Sequence, residues 1–131
     1  MIIGIDLGTT NSLAAYFKDG ETKIIPNRLG KHLTPSIVSV DEEGKVSVGE
    51  TAKEYGYLHP LNAAGVFKRT MGTDKKYRLG DYEYTSKELS AFVLRALKED
   101  AESFLGEKVT EAVISVPAYF DEKRRKATRQ A

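Results

Sequence analysis

Six consecutive residues near the start of the chain, Asp6-Leu7-Gly8-Thr9-Thr10-Asn11, bring together a carboxylate, two hydroxyls, a carboxamide and a glycine. That combination suits a magnesium-bound polyphosphate. Phosphate oxygens need backbone N–H and hydroxyl donors, and Mg²⁺, which dehydrates reluctantly, is commonly held by a carboxylate with waters between. Gly8 is expected to take a positive φ that the β-branched Thr9 and Thr10 resist, letting the backbone approach phosphate with both hydroxyls alongside. An ordinary hairpin with solvated threonines fits the same hexapeptide, and these residues alone do not choose between the two. Neither a Walker A pattern nor a G-x-G-x-x-G fingerprint occurs, which excludes the familiar loop-to-helix phosphate cradles.

Other candidates are sparse. Lys68, taken alone, is an ordinary solvated helix lysine. Lys123, Arg124, Arg125, Lys126 and Arg129 could suggest a basic nucleic-acid helix, but a short charge run is usually a solvated face, and phosphate contacts alone bind weakly and salt-sensitively. His32 and His59 lack the spacing and neighbours of a metal pair. Tyr77, Tyr82 and Tyr84 are expected to pack on a small sheet rather than stack on bases or adenine. With no cysteine, the chain has no disulfide framework, thiolate metal site or thiol catalysis.

The elements that must position these groups follow from patterning. Ile2-Ile3-Gly4-Ile5 is a β-branched run leading into Asp6, 12–18 reads as a second strand, and 22–25 follows the Asp19-Gly20 turn. This is an antiparallel meander whose first connection presents Gly8, Thr9 and Thr10 at the sheet end. Segments 35–40 and 45–48 flank a polar turn and predict a hairpin; 49–57 is helical in character, and His59-Pro60 breaks it. Apolar residues at Leu61, Ala64, Val66, Phe67 and Met71 predict a helix stopped by Gly72. Segments 77–79 and 82–84, joined by Gly80-Asp81, predict a small hairpin.

A long helix is predicted over 86–105, where Thr85 and Glu88 fit a capping box, apolar residues recur from Leu89 to Phe104, and Gly106 closes the end. Segment 109–116 reads as a strand, apolar enough from Ala112 to Val116 to be buried on both faces, and Pro117 ends it. Asp121 is the expected N-cap of a last helix running through Arg125 to Ala131. No glycine or proline stop follows, so the sequence is expected to end within that helix. No repeat, low-complexity tract or linker interrupts the single folded unit.

The segment Ile3-Gly4-Ile5-Asp6-Leu7-Gly8-Thr9-Thr10-Asn11-Ser12 resembles the opening of the actin-like ATPase superfamily, which includes heat-shock chaperones, sugar kinases and bacterial filament proteins. Three further stretches resemble the seventy-kilodalton heat-shock chaperones: Leu33-Thr34-Pro35-Ser36-Ile37-Val38, Phe67-Lys68-Arg69-Thr70-Met71-Gly72, and Ala112-Val113-Ile114-Ser115-Val116-Pro117-Ala118-Tyr119-Phe120. Their order and spacing extend the resemblance over the whole chain. The short stretch from Gly72 to Tyr84 is similar to the compact bacterial HscC branch. Glu122 departs from the aspartate usual in the family, which puts carry-over of the helix cap in doubt.

The resemblance implies the first lobe of an actin-like, ribonuclease-H-like α/β domain, with a base of residues 1–35 and 86–131 and a smaller inserted α+β subdomain, 36–85. It implies ATP or ADP with Mg²⁺ as ligands. Asp6 would face the magnesium shell, and Gly8, Thr9, Thr10 and Asn11 would line the phosphates. Lys68 matches the family's catalytic lysine. A general base would need its pKa lowered by several units at about 1.36 kcal/mol each, and Asp6 opposes that, so a charged Lys68 orienting water and stabilising the γ-phosphoryl group is preferred. Pro117 and Arg125 match the family's allosteric switch, although a proline ending a strand and an arginine on a helix need no function. The family's second phosphate loop, adenosine contacts and second lobe have no counterpart in this sequence.

The parent would be an ATP-hydrolysing chaperone working on unfolded polypeptides with a J-domain co-chaperone, while the 131-residue chain alone is expected to be inactive and to self-associate. A sugar or acid kinase, an actin-like filament protein and a nucleotide-free interaction module are the competing classes. A formal net charge of +1 gives no field for nucleic acid or an acidic membrane. No stretch approaches the ~20 apolar residues that span a bilayer, and no basic leader precedes Ile2, so a cytoplasmic location is expected.

Overall fold

A computed structural model describes residues 2–115 and 122–131, without the side chains of Arg69, Glu122, Arg124 and Arg125. The fold is mixed α/β. Strand β1 (Ile2–Leu7) pairs antiparallel with β2 (Asn11–Lys18), which pairs antiparallel with β3 (Glu21–Ile25), giving the expected meander. Two-residue β4 (Thr34–Pro35) extends the β3 side of β2, opposite Asn11 and Ser12. On the other side of β1, β10 (Glu111–Ser115) lies parallel to it.

A second sheet has the order β6 (Val46–Val48), β5 (Ile37–Val40), β7 (Ala63–Gly65), and the hairpin of β8 (Lys76–Leu79) with β9 (Tyr82–Thr85) stands apart. The expected single strand over 35–40 is therefore two, and they belong to different sheets on either side of Ser36. Helix α1 (Glu50–Leu58) follows β6.

The helix expected over 61–71 does not form. A 3₁₀ turn (Pro60–Asn62), strand β7 and a second 3₁₀ turn (Phe67–Thr70) replace it. The apolar spacing there was sparse, and pairing of Ala63, Ala64 and Gly65 with Ser39, Val38 and Ile37 wins over a helix with glycine in its middle. Val66, at φ 57°, then turns the chain into the second 3₁₀ turn.

Helix α2 (Ser86–Leu105) forms as expected, with the full Thr85–Glu88 capping box and Gly106 closing it at φ 69°. Its buried stripe Leu89, Val93, Leu97 and Ala101 recurs every fourth residue, and it shares one core with Ile3, Ile5 and Leu7, the alternate residues of β1. Full burial of each leucine contributes about 1.5–3 kcal/mol. The inserted segment joins the same core through Val38, Val40, Phe67, Met71 and Leu79. Tyr77 meets Phe67 and Tyr84 meets Phe92 edge-on, centroids 6.4 and 5.2 Å apart, whereas Tyr82 remains 40% exposed.

Strand β10 corrects another expectation. Rather than being buried on both faces, it lies at the end of its sheet, with Val113 68% exposed and only Ile114 packed against the core. Helix α3 (Glu122–Gln130) matches the last predicted helix, while Asp121 lies outside the described residues.

Candidate phosphate-binding site

Alternation along β1 sends Ile3, Ile5 and Leu7 into the core and leaves Asp6, the last residue but one, exposed on the opposite face. The chain then turns through Gly8, Thr9 and Thr10 before Asn11 opens β2, and the Leu7–Ser12 pair closes the hairpin. Thr10 and Asn11 are exposed; Gly8 and Thr9 are half-buried. The site is a strand–turn–strand loop with a carboxylate on one flank and hydroxyls at its tip.

Gly8 is needed for a reason other than the expected one. It does not adopt a positive φ; instead, a Cβ at this position would lie 2.0 Å from the Asn11 carbonyl oxygen. The turn is drawn so tight that backbone occupies the space of a side chain.

The loop is held through its carbonyls. The Lys68 ammonium donates to the Leu7 carbonyl, the Ser36 hydroxyl donates to the Gly8 carbonyl at 2.8 Å, and the Ser36 N–H donates to the Thr10 carbonyl at 2.8 Å. Lys68 lies in the second 3₁₀ turn and is only 7% exposed. Burial pushes its pKa below the ordinary lysine value, while the Asp6 carboxylate pulls it back up. The structure thus brings Asp6, the Gly8–Asn11 loop and Lys68 together although 61 residues separate Lys68 from Leu7.

The 3₁₀ turn carrying Lys68 is itself anchored. The Thr70 hydroxyl bonds the Tyr77 hydroxyl at 2.9 Å and also the Ser86 hydroxyl in the first turn of α2. Pro117 lies outside the described residues, and Arg125 contributes only a backbone position on α3. His59 stacks on Tyr55 at 4.4 Å, and no group of three or more metal-ligating side chains occurs among the described residues.

Sequence inspection missed two features. Ser36 stood in a family stretch without a role, and the signal for one was a serine directly after proline where a strand breaks. Arg28, whose Nε donates to Asp100 Oδ1 at 2.9 Å, ties the loop after β3 to α2; with 72 residues between partners, no local signal existed.

The candidate site is carried on a β-hairpin rather than at the mouth of a helix. The family model described as Hsp70 protein matches the chain over residues 2–79 and 74–131. Chaperone protein DnaK from Thermotoga neapolitana is 49% identical over 131 residues, covering 99% of this chain and 22% of the relative. The DnaK chaperones of Thermotoga petrophila and Thermotoga maritima match with the same identity and coverage. The chain belongs to the Hsp70 family, which carries an actin-like ATPase fold. It spans 22% of the length of these curated relatives.

Proposed function

We propose that this chain supplies one wall of the ATP site of an ATP-dependent protein-folding chaperone. The observation that carries this reading is the convergence of Lys68, from a distant segment, onto a loop flanked by Asp6. The donor set suits magnesium-bound phosphate: an exposed carboxylate, two hydroxyls, and a turn whose backbone fills the space of a glycine side chain. Asp6 would hold the metal's water shell, and Gly8, Thr9, Thr10 and Asn11 would receive the phosphates. The metal, when bound, neutralises charge developing on the transferred phosphoryl group.

Lys68 orients the attacking water and stabilises the γ-phosphoryl charge. Its neighbour Asp6 favours the ammonium form needed for that work, against the pull of burial. The division into a base of residues 1–35 and 86–131 and an insert of 36–85 agrees with the change of sheets at Ser36 and with α2 joining both parts. Pro117 and Arg125 are the proposed allosteric switch between nucleotide and polypeptide binding. In the parent protein, unfolded polypeptides and a J-domain co-chaperone are the partners, and the cytoplasm is the location. No helix among the described residues is long and apolar enough to cross a membrane.

The 131-residue chain on its own is proposed to be inactive, since phosphoryl transfer needs both walls of a cleft. It is also proposed to self-associate through the outward face of the first sheet, where register places exposed Ile2, Phe17, Ile24 and Val113 on one side. Sedimentation tests this; a monomer independent of concentration refutes it. For the function itself, full-length protein is titrated with ATP and Mg²⁺ by calorimetry, and phosphate release is followed with and without Lys68→Ala. Binding together with Lys68-dependent turnover is expected. Absence of ATP affinity in the full-length protein sinks the reading.

A further inference from the structure

The stretch Leu33-Thr34-Pro35-Ser36-Ile37-Val38 marks the family, yet none of its side chains belongs to the set proposed to meet nucleotide. Ser36 is the residue where the chain leaves the first sheet for the second, and it is 2% exposed. Among the described residues it contacts the phosphate loop and its outgoing strand at three points: Thr10 O, Gly8 O and Ser12 Oγ, each at 2.8 Å.

The direction of these bonds is determined. A carbonyl only accepts, so the single Ser36 hydroxyl proton goes to Gly8 O, and Ser12, itself 1% exposed, must donate to Ser36 Oγ. A buried one-way relay therefore runs from the start of β2, through Ser36, back into the turn. In a trans peptide the C=O and the following N–H point in opposite directions. Holding Gly8 C=O toward Ser36 turns the Thr9 N–H away from it.

We infer that Ser36 is a positioning residue for the phosphate loop. It sets the Gly8–Thr9 peptide plane so that the Thr9 amide and the threonine hydroxyls are oriented before nucleotide arrives. This rests on the proposed reading of the loop as a phosphate site. Removing the Ser36 hydroxyl leaves the part-buried Gly8 O and the buried Ser12 O–H without the partner they share, and frees the peptide to rotate.

The test uses full-length protein and compares wild type with Ser36→Ala and Ser36→Cys, plus a control, Ser39→Ala, at the buried serine three residues further on in β5. Affinities for ATP with Mg²⁺ and for adenosine, single-turnover hydrolysis and melting temperature are measured. Ser36→Ala is expected to bind ATP about tenfold more weakly, the equivalent of ~1.4 kcal/mol, and to leave adenosine affinity unchanged. Ser39→Ala is expected to move melting alone. Wild-type protein that binds no ATP overturns the loop reading itself. If wild type binds and folded Ser36→Ala keeps its ATP affinity and rate, the loop reading stands and the role of Ser36 is refuted. Should Ser36→Ala fail to fold, Ser36→Cys, nearly isosteric but a weak donor, decides by the same comparison of ATP with adenosine.

Discussion

Replacing Gly8 with alanine separates two accounts of why the loop needs glycine. Had Gly8 occupied the left-handed region, alanine would suffer backbone strain. Its φ lies elsewhere, so no left-handed strain opposes alanine, and in a compatible backbone with open space around it the substitution would stabilise the chain by about 0.4–1 kcal/mol. The space is not open: the new Cβ would lie 2.0 Å from Asn11 O and 3.2 Å from Asn11 C, and both are backbone atoms without a rotamer to change. Moving from 2.0 Å to an ordinary contact of 3.4 Å requires the turn to open by about 1.4 Å, with an overpacking cost of about 1–3 kcal/mol. A displacement of that size at reacting groups lowers rate by about a hundredfold. Urea denaturation of the 131-residue chain gives the stability, and calorimetry with ATP and Mg²⁺ on full-length protein gives affinity and, with phosphate release, turnover. A lower midpoint with both functions impaired is expected. A raised midpoint with wild-type ATP affinity refutes the contact argument.

Three other perturbations have expected outcomes. Burial sets the folded pKa of Lys68 below its unfolded value, so at pH values below both the cost of burying its charge is fully present. Between its lowered folded pKa and 10.5 the unfolded state binds more protons, and stability rises with pH by at most about 1.4 kcal/mol per unit. Chemical denaturation across that range should show the rise in wild type and not in Lys68→Met; parallel curves count against the burial account. Arg28→Ala should destabilise by about 1–3 kcal/mol in urea melts, because Asp100, with a side chain only 8% exposed, loses its donor at 2.9 Å, the same hydrogen bond through which Asp100 raises the Arg28 pKa. Thr85→Ala removes the acceptor of the Glu88 N–H and should cost about 1 kcal/mol, with lost protection of the first turn of α2 in amide exchange.

Much of the architecture was legible in local pattern because local forces produce it. The meander from Ile2 to Ile25 follows from β-branched runs punctuated by Asp19-Gly20, and α2 follows from a capping box, a fourfold apolar repeat and a closing glycine. The carboxylate, hydroxyls and glycine of the proposed phosphate loop lie within six residues, so the chemistry they could support is legible in the sequence. The family stretch around Lys68 likewise marked that lysine, though not what it touches.

What only the tertiary structure decided are the matters that depend on pairs far apart in the chain. Residues 61–71 became strand and 3₁₀ turns because β5 offered an edge, a preference no window of their own sequence contains. Strand β10 is as apolar as a central strand, yet its burial depends on neighbours rather than on composition. The need for Gly8 came from the Asn11 carbonyl crossing behind it, and the task of Ser36 from two carbonyls and a hydroxyl that the hairpin brings within 2.8 Å. Local sequence determines which groups are present and how the nearby backbone is inclined to bend; which of those groups share a hydrogen bond is set only when distant segments close on one core.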